Sequence, residues 1–178
     1  MTPSRPPHLV LVGLMGAGKT TIGQRCAERL GRPFIDTDDL VEQATGRTIA
    51  DIFATDGEAT FRAFERDAVA RACAETSPAV IACGGGAVLD ASNREQLRNA
   101  GVVIWLRAAP DTLAARVPDD GARPLLRGDA DPRAALERLH SERAEAYHAA
   151  AHHIVDTDGL SVKEAAERVL GALATCVS

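Results

Sequence analysis

Five short apolar runs, each followed by polar or glycine-rich residues, recur along the chain and predict buried β-strands. Runs of about four to eight residues rich in Val, Ile and Leu are typical of strands covered on both faces. The runs are residues 8–12, 33–36, 79–83, 102–106 and 153–156. We interpret all five as strands because they are too short for buried helices.

Between these runs, apolar residues recur at helical spacing and predict α-helices. The predicted helices cover about residues 19–30, 38–44, 49–54, 57–74, 111–116, 133–150 and 161–174. Strands that alternate with helices are typical of a parallel sheet with helices on both faces. The sequence therefore predicts the α/β class and a three-layer α/β/α fold with a five-stranded parallel sheet.

Composition and charge exclude several classes of function. The chain has 178 residues, of which 46% are hydrophobic, so we expect one globular domain over residues 1–178. The formal net charge of -5 disfavours nucleic acid and anionic membranes as partners. No apolar run approaches the roughly 20 residues of a membrane span, and none resembles a signal sequence. We therefore expect a cytoplasmic protein.

The four cysteines predict reduced, mostly buried thiols. Cys26, Cys73, Cys83 and Cys176 form no C-x-x-C pair, and none lies near a histidine at zinc-ligand spacing. A disulfide framework and a structural zinc site are therefore not expected.

Polar or glycine-rich segments follow most of the predicted strands. They are residues 13–19, 36–39 and 84–86 and the loop after Asp156. Ligands of parallel α/β folds bind beyond the carboxyl ends of the strands. We therefore expect the functional site at this edge of the sheet, where segments far apart in sequence would meet.

A complete phosphate-binding motif follows the first predicted strand. Residues 13–20 read Gly-Leu-Met-Gly-Ala-Gly-Lys-Thr, match G-x-x-x-x-G-K-[ST], and lie between a strand and a helix. In such a phosphate loop, backbone N–H groups hold phosphates, the lysine reaches the β- and γ-phosphates, and the hydroxyl binds Mg²⁺. The alternative, a chance glycine-rich turn, is disfavoured by this context. The residues predicted to hold a nucleoside triphosphate are Gly13, Gly16, Ala17, Gly18, Lys19, Thr20 and Thr21.

Two aspartates after the second predicted strand suit phosphoryl transfer. Asp36 and Asp38 lie two apart in a segment that we expect to be extended, so their side chains should face the same way. One carboxylate would lie near the metal, and the other would accept the proton of an acceptor hydroxyl. The alternative is that Asp38 or Thr37 caps the following helix. The phosphate loop nearby favours the catalytic interpretation.

The predicted helix at residues 57–74 carries charges on its apolar face. Glu65 lies inside a stripe that includes Phe61, Phe64 and Ala68, and Arg62 lies at its edge. The spacing of three allows Arg62 and Glu65 to pair. Buried charges are costly unless they are paired or serve a ligand. A half-exposed salt bridge is the alternative, and this helix alone does not decide between them.

Glycines and arginines further along the chain extend the predicted site. Gly84, Gly85 and Gly86, the glycine triplet, are explained either by close approach of a ligand to the backbone or by a sharp turn. The loop at residues 118–132 is typical of a mobile lid whose Arg123 swings onto the γ-phosphate, or of a solvated surface loop. Arg143, in the next predicted helix, would alone be interpreted as facing solvent.

Taken together, these motifs resemble those of the shikimate kinases, from about residue 9 to residue 169. The phosphate loop is shared with many kinases and ATPases, whereas the other segments are more specific and occur in the family's order. They are Asp-Thr-Asp at 36–38, Gly-Arg at 46–47, Ile-Ala-Asp-Ile-Phe at 49–53, Gly-Glu at 57–58, Phe61-Arg62 with Glu65, Gly-Gly-Gly at 84–86, Arg-Pro-Leu-Leu at 123–126, and Arg143 with Tyr147.

The resemblance implies a P-loop kinase fold with a lid and the transfer of the γ-phosphoryl of ATP to the 3-hydroxyl of shikimate. This reaction lies on the route to chorismate and the aromatic amino acids. The implied partners are ATP and shikimate, with one Mg²⁺ per active site, and the implied state is a monomer. The implied catalytic residues are Lys19, Asp38 and Arg123.

The resemblance also implies a role for each site residue. Asp38 would hold the shikimate hydroxyls and act as the base, and the glycine triplet would line the substrate pocket. The substrate carboxylate would be bound by Arg62 and Arg143. Arg123 would contact the phosphates of ATP. The residues implied to support Mg²⁺ are Thr20 and, through water, Asp36.

One segment departs from the family pattern. Where the family packs adenine, after Thr157, the chain reads Asp-Gly-Leu-Ser and carries no arginine or glutamine to hold the base. Arg116 and Pro118 are further candidates to flank the adenine ring.

Two classes of alternative remain at the level of sequence: another small P-loop kinase, acting on a nucleoside monophosphate or gluconate, and a nucleotide-binding switch. A small P-loop kinase for a nucleoside monophosphate would want an aromatic wall, yet aromatic residues make up 3% of the chain. A gluconate kinase fits the arginines but not the full set of motifs. A nucleotide-binding switch without catalysis would not need Asp38, Arg62, Arg123 and Arg143, and the presence of all four favours an enzyme.

Overall fold

The computed structural model of the protein describes residues 7–117 and 131–177. Its five strands are all parallel and lie in the order β2-β3-β1-β4-β5. The predicted five-stranded parallel sheet is therefore confirmed. The strands are β1 (His8–Val12), β2 (Phe34–Asp36), β3 (Val80–Ala82), β4 (Gly101–Arg107) and β5 (His153–Asp156).

Helices cover both faces of the sheet, as predicted. In the described residues they are α1 (Lys19–Leu30), α2 (Thr37–Thr45), α3 (Ile49–Asp56), α4 (Glu58–Cys73), α5 (Ala91–Ala100), α6 (Pro110–Arg116), α7 (Pro132–Ala150) and α8 (Val162–Val177), with a short 3₁₀ helix at Ala87–Leu89. Helices α1 and α8 pack together in one outer layer, and α4, α5 and α7 form the other. The residues of β1, β3 and most of β4 are buried between these layers, which explains their continuous apolar runs.

Helix α5 was not predicted from the sequence. Most of its residues are polar, and Asn93 and Leu97 are the buried ones, so it shows no clear apolar stripe. A usable signal was the preceding Asp90, whose carboxylate accepts hydrogen bonds from the backbone N–H groups of Ser92 and Asn93.

A second, smaller apolar core lies apart from the one that surrounds the sheet. It joins helices α2, α3 and α4 through Val41, Ile52, Phe61 and Ala68. Phe53 and Phe61, from α3 and α4, place their ring centroids 4.7 Å apart. This cluster fixes the three helices to one another beside the carboxyl ends of β2 and β3.

The predicted lid falls almost entirely on residues 118–130, which lie outside the described residues together with Pro118 and Arg123. Within the described ranges, no helix has both the length and the apolar character needed to cross a membrane.

Candidate active site

The phosphate loop connects β1 to α1 and depends on glycine at three positions. Gly13, Gly16 and Gly18 have φ values of 149°, 81° and 90°, which residues with a side chain rarely adopt. A Cβ at Gly13 would lie 2.5 Å from the Leu106 carbonyl oxygen, so the loop also packs too closely against β4 for any side chain. The motif therefore has the backbone shape that its glycines predict.

At the mouth of this loop, Lys19 is held by the backbone. Its Nζ donates hydrogen bonds to the carbonyl oxygens of Gly13, at 2.8 Å, and Leu14, at 3.0 Å. Helix α1 begins at Lys19, and no described side chain caps its N-terminus. The open N–H groups and the helix dipole favour an anion here.

Asp36 links the phosphate loop to α2. The Thr20 hydroxyl donates to Asp36 Oδ2 at 3.1 Å, and the backbone N–H of Asp38 donates to Asp36 Oδ1 at 2.9 Å. The prediction that the segment from Asp36 to Asp38 is extended was therefore wrong, because α2 already begins at Thr37. The suggested cap at Thr37 or Asp38 was also wrong, since Asp36 has extended backbone angles and is the N-cap.

Although Asp38 lies in the first turn of α2, its carboxylate still faces the glycine triplet. A Cβ at Gly84 would lie 2.6 Å from Asp38 Oδ1 and 2.9 Å from Glu65 Oε1. The buried Thr37 hydroxyl accepts a hydrogen bond from the Gly84 N–H at 3.0 Å. Two carboxylates from different helices thus converge on the first glycine.

The other two glycines of the triplet each face an arginine. A Cβ at Gly85 would lie 3.4 Å from Arg143 Nη1, and one at Gly86 would overlap the Arg62 guanidinium. The triplet does turn, since the Ala87 N–H donates to the Gly84 carbonyl at 3.0 Å, but none of its residues has a positive φ, so the turn by itself does not require glycine. Close approach does, although the groups that approach are the protein's own charged side chains.

Arg62 and Glu65 form the predicted pair on α4. Arg62 Nη1 lies 2.7 Å from Glu65 Oε2, and Nη2 lies 3.0 Å from Glu58 Oε1. Burial raises the pKa of the Glu65 carboxyl above its ordinary value, against the opposing effect of Arg62. Burial alone would lower the pKa of Arg62, but the Glu65 and Glu58 carboxylates raise it.

Arg143 is buried, although its own helix gave no sign of this. It is 3% exposed, and its Nε and Nη1 have no hydrogen-bond partner among the described residues. Unsatisfied guanidinium donors inside a protein are costly. Their presence beside the glycine triplet indicates a site for an anionic group of a ligand.

One cleft of about 870 Å³ joins the phosphate loop to the glycine triplet. Of the predicted site residues that lie in the described ranges, all line this cleft except Gly13. Gly13 does not line the cleft, but its φ value sets the course of the phosphate loop. Sequence analysis missed Glu65 as a site residue, although its place on the apolar stripe of α4 was visible. Ile49, Phe53 and Phe61 also line the cleft and give it an apolar wall.

The far end of the cleft, beyond the phosphate loop, is formed by α6 and the residues after β5. Arg116 donates to the Thr157 hydroxyl at 3.2 Å and to the Thr157 carbonyl at 3.0 Å. Leu160 and Val162 line the same end. This end of the cleft therefore has a polar side at Arg116 and an apolar side at Leu160 and Val162.

The oxygen atoms of Thr20 and Asp36 suit Mg²⁺, which prefers hard oxygen ligands and retains several waters. The described residues contain no group of three or more His, Cys, Asp or Glu arranged to hold a metal ion by themselves. A magnesium ion at this place would therefore depend on phosphate oxygens and water for its remaining ligands.

Comparisons with known proteins identify the family of the chain. The shikimate kinase family model matches residues 15–174. The chain is 51% identical over 168 residues to a shikimate kinase of Symbiobacterium thermophilum, covering 93% of this chain and 95% of the relative. It is 43% identical over 167 residues to a shikimate kinase of Ruegeria pomeroyi, covering 94% of this chain and 85% of the relative.

Among solved structures, the shikimate kinase of Acinetobacter baumannii in complex with shikimate superposes with a TM-score of 0.91. It is 36% identical, and the match covers 96% of this chain and 94% of that one. Both the family model and these relatives extend over nearly the whole chain. The chain therefore belongs to the shikimate kinase family.

Proposed function

We propose that this shikimate kinase, an ATP-dependent phosphotransferase of aromatic amino acid biosynthesis, binds its two substrates at opposite ends of the single cleft. ATP lies along the phosphate loop, and shikimate lies against the glycine triplet. The observation that carries this assignment is the buried Arg143, whose Nε and Nη1 have no hydrogen-bond partner among the described residues beside the triplet. Shikimate is a small polyhydroxy acid, and its carboxylate would satisfy such donors.

At the nucleotide end, we assign the phosphates to the backbone of the phosphate loop and to the N-terminus of α1. Lys19, now bonded to two loop carbonyls, would exchange them for the β- and γ-phosphates. Such an exchange needs only a rotation of a flexible side chain. The base would lie between Arg116 and the apolar residues after Thr157.

Thr20 and Asp36 are the residues that would hold Mg²⁺, the latter through water. When bound, the ion would neutralise charge on the phosphates. The hydrogen bond between the Thr20 hydroxyl and Asp36 already brings these two oxygens to 3.1 Å. Asp36 orients Thr20 and caps α2 at the same time.

At the acceptor end, Asp38 would accept the proton of the shikimate 3-hydroxyl as the hydroxyl oxygen attacks the γ-phosphorus. The bond from that phosphorus to the β,γ-bridging oxygen breaks, and ADP leaves. Asp38 lies in the first turn of α2, close to Gly84. A fixed carboxylate next to the acceptor contributes both orientation and general base catalysis.

The substrate carboxylate would lie between Arg62 and Arg143. Arg62 is already oriented by Glu65 and Glu58, so it needs little rearrangement to bind an anion. The apolar wall of Ile49, Phe53 and Phe61 would contact the face of the ring. An acid without hydroxyls would offer Asp38 no proton to accept, and an uncharged polyol would offer Arg143 Nε and Nη1 no anionic partner.

Three further proposals accompany this function. Arg123, which lies outside the described residues, would stabilise charge on the transferred phosphoryl group. We also propose a monomer that acts in the cytoplasm. Size-exclusion chromatography with light scattering would test the monomeric state, and fractionation of the source cells would test the cytoplasmic location.

The direct test is to follow ADP release by the purified protein with MgATP and shikimate. Gluconate and AMP serve as alternative acceptors in parallel. Release that requires shikimate supports the assignment. Release with gluconate or AMP, but not with shikimate, would keep the phosphotransferase and overturn the acceptor, whereas binding of ATP without any release would indicate a nucleotide-binding switch.

A further inference from the structure

Tyr147 is the part of the Arg143–Tyr147 motif that the proposed function leaves unused. It is fully buried in α7, one turn after Arg143. Its hydroxyl donates a hydrogen bond of 2.5 Å to the carbonyl oxygen of Gly85. Residues four apart lie on the same face of a helix, so Tyr147 and Arg143 both face the glycine triplet.

Gly85 is contacted by both residues. Arg143 Nη1 lies 3.4 Å from the position of a Cβ on Gly85, and the Tyr147 hydroxyl holds the carbonyl of the same residue. The tyrosine therefore ties the loop after β3 to the helix that carries the arginine. Arg143 Nε and Nη1 have no hydrogen-bond partner among the described residues, so this tie between the two elements is one of the restraints that set where the guanidinium lies.

The ring of Tyr147 is fixed as firmly as its hydroxyl. It stacks on Trp105 of β4, with ring centroids 5.1 Å apart and planes inclined by 22°. Burial raises the pKa of Tyr147 to about 12. The hydroxyl therefore remains a donor at any pH at which the enzyme would be assayed.

We propose that Tyr147 is a positioning residue for shikimate, which sets the separation between Arg143 and the Gly85 backbone and so aligns the arginine with the substrate carboxylate. This inference rests on the proposed function. A tyrosine that served only the core would do no more than phenylalanine, because the ring alone fills the space. The hydroxyl is the group to which the structure gives a partner at the substrate pocket.

The first test is Tyr147→Phe, which removes the hydroxyl and keeps the stacked ring. Loss of one buried hydrogen bond predicts a rise of about three- to tenfold in KM for shikimate. We expect kcat and KM for ATP to change by less than about twofold, because the partner of the Tyr147 hydroxyl is the backbone of the glycine triplet and not a group assigned to ATP. An unchanged KM for shikimate in a folded variant would overturn the proposal.

Thr45→Val is a matched control. The Thr45 hydroxyl also donates to a backbone carbonyl, that of Val41, but inside α2 and outside the lining of the cleft. It should change thermal stability without changing KM for shikimate. An equal effect of both variants on KM would indicate a general loss of rigidity and would contradict the positioning role.

A shikimate analogue whose carboxylate is replaced by a carboxamide tests whether Tyr147 acts through Arg143. The neutral amide weakens the contact with the arginine, so Tyr147→Phe should cost much less with the analogue than with shikimate. The same penalty on both compounds would show that the tyrosine does not act on carboxylate binding.

A spectroscopic test does not depend on the variant being folded. Tyr147 is the single tyrosine of the chain, so biosynthetic 3-fluorotyrosine labels this position alone. Shikimate should shift the one ¹⁹F resonance in the absence of nucleotide, and the carboxamide analogue should shift it less. No shift at a shikimate concentration that saturates the site by calorimetry would overturn the proposal. If unlabelled wild-type protein neither binds nor phosphorylates shikimate, the proposed function itself fails.

Discussion

At the scale of single residues, the carboxylate of Asp38 is the group on which transfer should depend most. We predict that Asp38→Asn lowers kcat by about 10²–10⁴-fold, because the amide cannot accept the hydroxyl proton. ATP binding should persist, since the phosphate loop is untouched. Steady-state kinetics and nucleotide titration by calorimetry measure the two effects separately.

Asp67→Asn is the control for this variant. Asp67 is an exposed carboxylate on α4, away from the cleft, and its loss should leave the kinetics unchanged. Turnover of Asp38→Asn close to that of the wild type would remove Asp38 from the role of base and direct attention to Glu65, the other carboxylate beside Gly84.

The glycine triplet gives a second prediction at this scale. In Gly86→Ala the new methyl group would overlap the Arg62 guanidinium, which must then leave its place beside the triplet. We expect KM for shikimate to rise at least about tenfold, the order expected for a lost charge-assisted contact, with little change in KM for ATP.

Gly171→Ala is the matched substitution outside the site. Gly171 lies in α8 with open space around it, so alanine should stabilise the helix by about 0.5–1 kcal/mol and leave KM unchanged. Urea denaturation and kinetics distinguish the two glycines. A similar, small effect of both substitutions would show that the side chains around the triplet rearrange freely.

Residue by residue, the sequence predicted the site best where a motif imposes a backbone shape. The phosphate loop is such a case, because a left-handed φ at Gly16 and Gly18 needs glycine wherever the loop occurs. The burial of Arg143 could not be predicted from its helix, because it depends on how α7 packs against the loop after β3. The cap at Asp36 was missed because Asp36 both ends β2 and caps α2, with no residue between strand and helix, whereas we expected the chain to stay extended as far as Asp38.

At the scale of elements, the small core of α2, α3 and α4 should behave as a support for the substrate end. Ile52 is fully buried in it, so Ile52→Ala should cost about 2–5 kcal/mol of unfolding free energy. We also expect KM for shikimate to rise, because α2 carries Asp38 and α4 carries Arg62. Urea denaturation and kinetics would measure these effects.

Val177→Ala provides the comparison. Val177 is 55% exposed at the end of α8, so its truncation should change stability by less than about 0.5 kcal/mol. Equal destabilisation by the two variants would mean that the small core contributes no more than the surface does.

The predicted elements succeeded or failed according to their apolar content. Strands β1 and β4 are continuous apolar runs, and only a buried strand suits such short runs between turns. Helix α5 has a hydrophilic sequence and is held by its cap and by two buried residues, so its periodicity was too weak to recognise. Hydrophobic patterns in a single sequence thus detect elements that bury a whole apolar face. They miss a helix such as α5, in which only two residues are buried.

At the scale of the whole molecule, His152 should make stability depend on pH. Its Nδ1 accepts a hydrogen bond from the Val103 N–H at 3.0 Å, which joins the residue before β5 to β4. Burial, Arg98 and His153 lower the pKa of His152 below its ordinary value of 6.5. The unfolded chain therefore binds the proton more readily than the folded one.

Because the unfolded chain binds the proton more readily, the free energy of unfolding falls as the pH falls. The contribution of neutral His152 to the free energy of unfolding is fully present above about pH 6.5. It is lost as the pH falls from there through the pKa of His152 in the folded protein. Urea denaturation between pH 5 and 8 measures it. His152→Asn keeps an acceptor but does not titrate, so its stability should fall less than that of the wild type. Parallel curves for the two proteins would exclude His152 as the source.

The order of the strands has a consequence for inhibitor design. Strands β1 and β2 flank β3, and neighbouring strands lie about 4.8 Å apart, so the phosphate loop and the Asp38 segment begin about 10 Å from each other. A bisubstrate compound that joins a hydroxylated ring acid to a nucleotide through a phosphate linker would span this separation. Binding of its first half would bring the second to an effective concentration in the millimolar range. The linker length that binds best would then measure, in solution, how closely the two substrates approach before the phosphoryl group moves.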